Sequence, residues 1–210
     1  MKAFLFSMLF ILGPMVGNSY RMLHPGPWVL FAATWVVLFT HPPLPPFKQV
    51  IENKADGFSA ILLLLTLLGT VFLTVVEFTY RAEWIPPAGS ARCLGGIVLM
   101  IMAIFLRVWS IRILGSFFTS TVNVEEICAG LVERGPYRLV RHPSYLAMLL
   151  ALVALCLMMQ STLCLFLTIL LIFPSYLYRI YREERALEAK LGAKYRTYRK
   201  RTWKLIPLIL

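Results

Sequence analysis

The chain has 210 residues, 59% of them hydrophobic and 15% charged. A soluble globular domain carries roughly 45–50% apolar and about 25% charged residues, so this composition excludes one, together with disordered, collagen-like and coiled-coil chains. Lys and Arg number 21 against 10 Asp and Glu, and the length is that of a single domain.

Met1-Lys2 opens directly onto an apolar stretch with no small-x-small cleavage site behind it, which reads as an uncleaved first helix rather than a signal peptide. Residues 3–20 form a first candidate span, kinked at Gly13-Pro14. Residues 27–40 are a short second one, ended by Pro42, Pro43, Pro45 and Pro46. Residues 58–78 and 93–111 are clean third and fourth spans. A polar stretch over 112–142 precedes an apolar run over 143–178. As one helix that run would be about 54 Å long at 1.5 Å per residue, and no bilayer is that thick. It must fold back, and Gln160-Ser161-Thr162 is the polar break near its middle. The spacing therefore predicts a helical hairpin.

A hairpin returns loop 112–142 and tail 179–210 to one face. Residues 179–204 hold ten basic and three acidic side chains, which marks that face as cytoplasmic by the positive-inside rule and suits anionic headgroups. Counting back places loop 79–92 outside and both loop 41–57 and the N-terminus inside. Lys2, Lys48 and Lys54 agree, whereas Arg21, Arg81 and Arg92 do not. Without the 27–40 crossing there are five spans instead of six. The expected fold is all-α, a multi-pass transmembrane helical protein of five or six spans. Residues 1–111 supply the N-terminal helices. Residues 112–210 are expected to form a second region, with hairpin 143–178 and a cytoplasmic tail helix, and any site is expected on that cytoplasmic face.

Nucleic-acid binding has no recognisable fold to support it. Cys93, Cys128, Cys156 and Cys164 show neither a CxxC pair nor His at metal-ligand spacing, so no metal site is expected. Glu77 and Arg107 are the charged residues within the apolar runs, and both lie near ends where they can reach the interface. A transporter would carry more polar groups at mid-membrane.

Chemistry is sought where the two polar regions converge. Gly135-Pro136 marks a turn, and His142 stands at the mouth of the hairpin with Pro143 suited to the first turn of its helix. Amides at that helix start, beside Arg141, can hold an anionic or polar group. Tyr137 and Tyr145 offer flat faces for a purine or a sulfonium. Each of these residues is equally at home in an interfacial belt. Further on, Arg179 and Glu183 share a helix face at i,i+4. A paired arginine binds a carboxylate well, though such a pair also suits an ordinary helix end leaving lipid.

Taken together the two segments are specific. Leu114-Gly115, Phe118, Leu131-Val132, Gly135 to Arg138, Arg141-His142-Pro143, Tyr145, Arg179, Glu183-Glu184, Leu191-Gly192, Tyr195, Tyr198 and Ile206-Pro207 follow in order. The series resembles the integral-membrane isoprenylcysteine carboxyl methyltransferase family and its phospholipid methyltransferase relatives, over about residues 112–207. The resemblance implies transfer of a methyl group from S-adenosyl-L-methionine to a lipophilic acceptor, a small molecule or a prenylated substrate reached from the bilayer. It implies that Ala129, Gly130, Leu131 and Val132 wrap the cofactor with their backbone. Tyr137, His142, Pro143, Ser144 and Tyr145 would line its pocket, Glu183 would contact it, and Arg179 would face the acceptor. Ala129 stands where family members often have histidine, and Ala147 where many have glycine.

A carboxylate acceptor needs no general base, only to be held in line and stripped of water. An amine would need one, and His142 or a glutamate could serve. Carboxyl methylation of an isoprenylcysteine-like thioether and methylation of a lipid headgroup both stay open at this point. A nicotinamide-dependent membrane reductase shares the RHP-x-Y string, but the short tail offers such a cofactor no separate site. A non-enzymatic scaffold is the remaining alternative.

Overall fold

The structure is a computed structural model, and it describes residues 2–40, 58–81, 89–118 and 131–207. Those residues form eight α-helices: α1 (Lys2–Ile11), α2 (Pro25–Thr40), α3 (Ser59–Tyr80), α4 (Ala91–Leu114), α5 (Pro143–Met159), α6 (Thr162–Leu167), α7 (Phe173–Leu191) and α8 (Ala193–Arg201). Three continuous helices are long and apolar enough to cross a membrane, namely α3, α4 and the 30-residue stretch Thr162–Leu191 that joins α6 to α7. α2 and α5 are apolar but shorter. The chain is therefore an integral membrane protein by length and composition of its helices.

The third and fourth expected spans appear as α3 and α4. The first does not run its length: α1 stops at Ile11, and Gly13–Leu23 follows as 3₁₀ turns broken at Asn18. Pro14 lacks the N–H that would continue an α-helix.

The apolar run 143–178 does fold back. Gln160 takes the left-handed conformation at φ 49° and ends α5. Ser161 then caps α6, its hydroxyl oxygen accepting from the Cys164 amide at 2.8 Å. Cys164 lies against the Leu152 carbonyl, and at the far end Arg179 reaches Tyr145, so the two legs run antiparallel. A single π turn over Thr168–Ile172 sits just ahead of Pro174. It absorbs the hydrogen bond that the proline cannot make.

The hairpin turn is clamped by α3. The Glu77 carboxylate accepts from the Ser161 and Thr162 hydroxyls and from the Leu163 amide. Arg81 pairs with Glu77 at 3.8 Å and donates to the Gln160 carbonyl at 2.7 Å. Arg21 in turn donates to the Arg81 carbonyl at 2.8 Å. Two of the arginines that disagreed with the charge rule are thus spent on backbone carbonyls at this end of the bundle.

α4 and α5 lie side by side. The inward side of α4 reads Cys93, Gly96, Met100, Ala103, Arg107 and Ser110, a spacing of three and four residues that keeps one seam on the partner helix. Small residues on it let the backbones approach. A Cβ on Gly96 would stand 2.6 Å from Met158 Cγ and 2.9 Å from the Ala154 carbonyl oxygen, whereas Gly95 has open space. Gly96→Leu should therefore lower the thermal unfolding temperature in detergent, by an overpacking cost of at least about 1–3 kcal/mol. Gly95→Leu should leave it nearly unchanged, and equal shifts in the two variants would refute the close approach.

Candidate functional site

The end of the bundle opposite the hairpin turn gathers the start of α3, the last turns of α4, the start of α5, the middle of α7 and the tail beyond α8. The tail is zipped to the segment ahead of α5. Trp203 N–H donates to the Leu139 carbonyl at 2.8 Å, and the Arg141 and His142 amides donate back to the Trp203 and Lys204 carbonyls at 2.7 and 3.2 Å. Val140 and Trp203 form an isolated parallel bridge.

Tyr137 lies in a 3₁₀ turn, Gly135–Arg138. Gly135 has φ +59°, and a Cβ there would meet Ile113 Cγ1 at 3.1 Å, so both the backbone and the space favour glycine. The Tyr198 hydroxyl donates to the Tyr137 carbonyl at 2.7 Å. Burial pushes the Tyr137 phenol up from its ordinary value, with the Glu183 carboxylate adding to the effect, and burial does the same to Tyr195 and Tyr198. All three stay neutral donors at physiological pH.

His142 caps α5 with Pro143 in the first turn. Its ring stacks on Tyr145, the planes 8° apart and the centroids 5.6 Å apart. Nε2 is 3.3 Å from Glu184 Oε1, and Nδ1 is 3.7 Å from Glu183 Oε2. The two glutamates therefore differ in environment. The Glu184 side chain is 11% exposed and is held by Arg141 Nε at 2.8 Å, while that of Glu183 is 31% exposed. Glu184 is the more buried and more tightly held of the two, and Glu183 the more exposed.

Arg179 and Glu183 are brought together through a third residue. Arg179 Nε donates to the Tyr145 hydroxyl at 2.9 Å, and that hydroxyl donates to Glu183 Oε2 at 3.0 Å. Arg179 Nη1 also reaches Ser59 Oγ at 3.4 Å. Sequence reasoning missed Ser59, whose place at the head of α3 carries no motif. It also misplaced Arg107, expected at the interface. The Arg107 side chain faces inward, 7% exposed as a residue, with Nη1 on Ser144 Oγ at 3.0 Å and its Nε buried without a partner. Ser144 lies next to Tyr145 in the first turn of α5, the residue that Arg179 reaches from the other side. Two buried guanidinium groups thus hold neighbouring residues at the start of α5, Arg107 on Ser144 and Arg179 on Tyr145.

Among the residues expected from the sequence, Tyr137, His142, Pro143, Ser144, Tyr145, Arg179 and Glu183 come together at this end, with Leu131 and Val132 leading into the Gly135 turn. Ala129 and Gly130 lie outside the described residues. Among the described residues, Arg107 Nε and the Tyr195 hydroxyl are buried here and meet no hydrogen-bond acceptor, and a buried donor left unmet costs about 1–3 kcal/mol. The two unmet donors call for acceptor groups, whereas the part-exposed Glu183 carboxylate accepts and the His142–Tyr145 stack offers a flat surface. His142→Ala should weaken S-adenosylhomocysteine binding by about 1–2 kcal/mol, the worth of a polar contact among charged groups. Calorimetry showing unchanged affinity would return His142 to a purely interfacial role.

Residues 96–189, just under half of the chain, match the model of the isoprenylcysteine carboxyl methyltransferase family. No curated protein matches the chain.

Proposed function

The chain carries, over residues 96–189, a domain of this family of S-adenosyl-L-methionine-dependent protein-S-isoprenylcysteine O-methyltransferases, and from that premise we propose that the Tyr137, His142, Tyr145, Arg179 and Glu183 cluster is its active site. The observation that carries the reading is the open Glu183 carboxylate tied through one phenol to the buried guanidinium of Arg179.

S-adenosyl-L-methionine, when bound, supplies an electrophilic methyl group on a sulfonium. Glu183 would accept from its amino or hydroxyl groups, Tyr137 and the His142–Tyr145 stack would pack on its flat and cationic parts, and Leu131 and Val132, with Ala129 and Gly130, would meet it with backbone. Pro143 and Ser144 fix the start of α5, Ser144 by accepting from Arg107. Arg179 would hold the acceptor carboxylate by charge and by its planar fork, with Arg107 the second cation at hand. The carboxylate is ionised at neutral pH, so no residue has to remove a proton. The apolar helix walls exclude water and leave the acceptor poorly solvated.

In this reading residues 112–210 are the catalytic region and residues 1–111 its membrane support, which lends Ser59 and Arg107. The site end faces the cytoplasm, in keeping with the basic tail, and the lipophilic acceptor arrives from the bilayer. Thr162→Cys should then be shielded from cytoplasmic thiol reagents, and Arg138→Cys and Thr197→Cys should label from that side. Opposite-side labelling of the last two would overturn the composite site.

Calorimetry of the detergent-purified protein with S-adenosylhomocysteine, with NADPH as comparison, tests the cofactor. Binding of the first only is expected, and binding of NADPH alone would restore the reductase. Turnover of a prenylated cysteine carboxylate against a phospholipid amine then tests the acceptor. Methylation of the amine alone would move the function to a lipid headgroup.

A further inference from the structure

We infer that the outward face of α8, with the Leu139–Trp203 edge beside it, docks on anionic lipid headgroups, and that this docking holds the Arg141–Glu184–His142 chain of the site; the second half rests on the function proposed above. Gly192, at φ +54°, ends α7 and precedes α8. Tyr195 and Tyr198 turn inward and are buried, while Lys194, Arg196, Arg199, Lys200 and Arg201 are all exposed. Among the described residues two carboxylates offset these five cations, Glu188 against Arg196 at 3.7 Å and Arg199 at 3.2 Å, and Glu133 against Arg201. The face therefore keeps an excess of positive charge.

The neighbouring edge is apolar and open. Leu139 is 67% exposed and Trp203 41%, and the two are joined by the Trp203 amide. A basic face rimmed by Trp and Leu is the composition that settles at the headgroup boundary. α8 follows, across Gly192, the helix whose first turns belong to the apolar run, so it lies on the same side as the basic end of that helix. An acidic protein segment would satisfy the charges but not the exposed Leu139 and Trp203.

The C-terminal end of the same helix is read by the site. Arg141 Nη1 donates to the Arg199 carbonyl at 3.1 Å and to the Thr202 carbonyl, and Arg141 Nε holds Glu184, which holds His142. Anything that pins α8 in place therefore pins Arg141.

The test uses the full chain in nanodiscs of phosphatidylcholine alone or with about one-third phosphatidylserine, with trypsin as probe. Cleavage within residues 194–201 should slow by about tenfold in the anionic discs, given the strength of juxtamembrane basic residues on such surfaces. That protection should disappear near 0.5 M salt, where screening shortens the reach of charge to a few ångströms. The pair Lys194→Gln and Lys200→Gln should lose most of the protection while keeping activity in neutral discs. S-adenosylhomocysteine should bind about threefold tighter to the parent in anionic discs and equally in both discs for the pair variant. Equal cleavage rates in the two discs would overturn the docking. Equal protection by soluble polyglutamate in neutral discs would also overturn it, in favour of an acidic protein partner. Protection with unchanged affinity would overturn the coupling. Absence of S-adenosylhomocysteine binding in either disc would instead defeat the proposed function, and the trypsin result would still stand for the docking.

Discussion

Arg179→Lys should lower methyl transfer by about a hundredfold while S-adenosylhomocysteine binds as before. Lysine keeps the positive charge but presents one compact ammonium where arginine presents a rigid planar fork. In the structure that fork is anchored: Nε donates to the Tyr145 hydroxyl at 2.9 Å and Nη1 reaches Ser59 at 3.4 Å. A lysine at this position can satisfy Tyr145 or grip a carboxylate, but it cannot reproduce the fixed angle between them. A displacement of about 1 Å in a positioned reactant can cost on the order of 10² in rate. Turnover and affinity measured side by side, with a prenylated cysteine carboxylate as acceptor, give the result. Glu183→Gln should impair both, because Glu183 faces the ligand and accepts from the phenol that braces Arg179. A fully active Arg179→Lys enzyme would remove the acceptor-orienting role from Arg179.

The difference between Arg179 and Arg107 shows how far the sequence reaches. The hairpin was legible because its cause is one-dimensional: 36 apolar residues exceed any bilayer, and the polar Gln160-Ser161-Thr162 marks the turn. α3 and α4 were legible for the same reason. Arg179 and Glu183 could be put on one face by helical spacing alone, yet the phenol between them comes from another helix. Arg107 was misread because a cation near the end of an apolar run looks the same whether it reaches toward headgroups or turns inward. Its register with Cys93, Gly96, Met100, Ala103 and Ser110 was the available signal. Recognising that seam would have faced Arg107 toward Ser144. Ser59 left no such trace, since it enters the site through the packing of α3 on the hairpin, where Leu63, Leu67 and Val71 meet the Leu149, Ile172 and Tyr176 cluster. α1 was overextended because an apolar stretch containing Gly13-Pro14 was read as a kinked span, and the 3₁₀ turns beyond Ile11 have no hydropathy signature.

Glu184→Gln should destabilise the protein by about 3 kcal/mol and weaken S-adenosylhomocysteine binding, although Glu184 is not placed against the ligand. Its carboxylate is the partner of Arg141 at 2.8 Å and of His142 at 3.3 Å, with the Arg141 side chain 8% exposed. Removing one member of a buried ion pair leaves the other charge uncompensated, which typically costs 3–5 kcal/mol. The lower end applies here because Arg141 keeps the Arg199 and Thr202 carbonyls. Replacing both members by apolar residues of similar size tends to be neutral or better. Arg141→Met combined with Glu184→Leu should therefore recover part of the unfolding temperature lost by Glu184→Gln alone, the rest being lost with the donor to the Arg199 and Thr202 carbonyls. Ligand affinity should not recover with it, because His142 would still lack the carboxylate that orients its ring between Glu184 and Glu183. Thermal unfolding and calorimetry on the same two samples separate the effects. Recovery of both would reduce Glu184 to a folding residue, and recovery of neither would mean that the apolar pair does not pack where the charges stood.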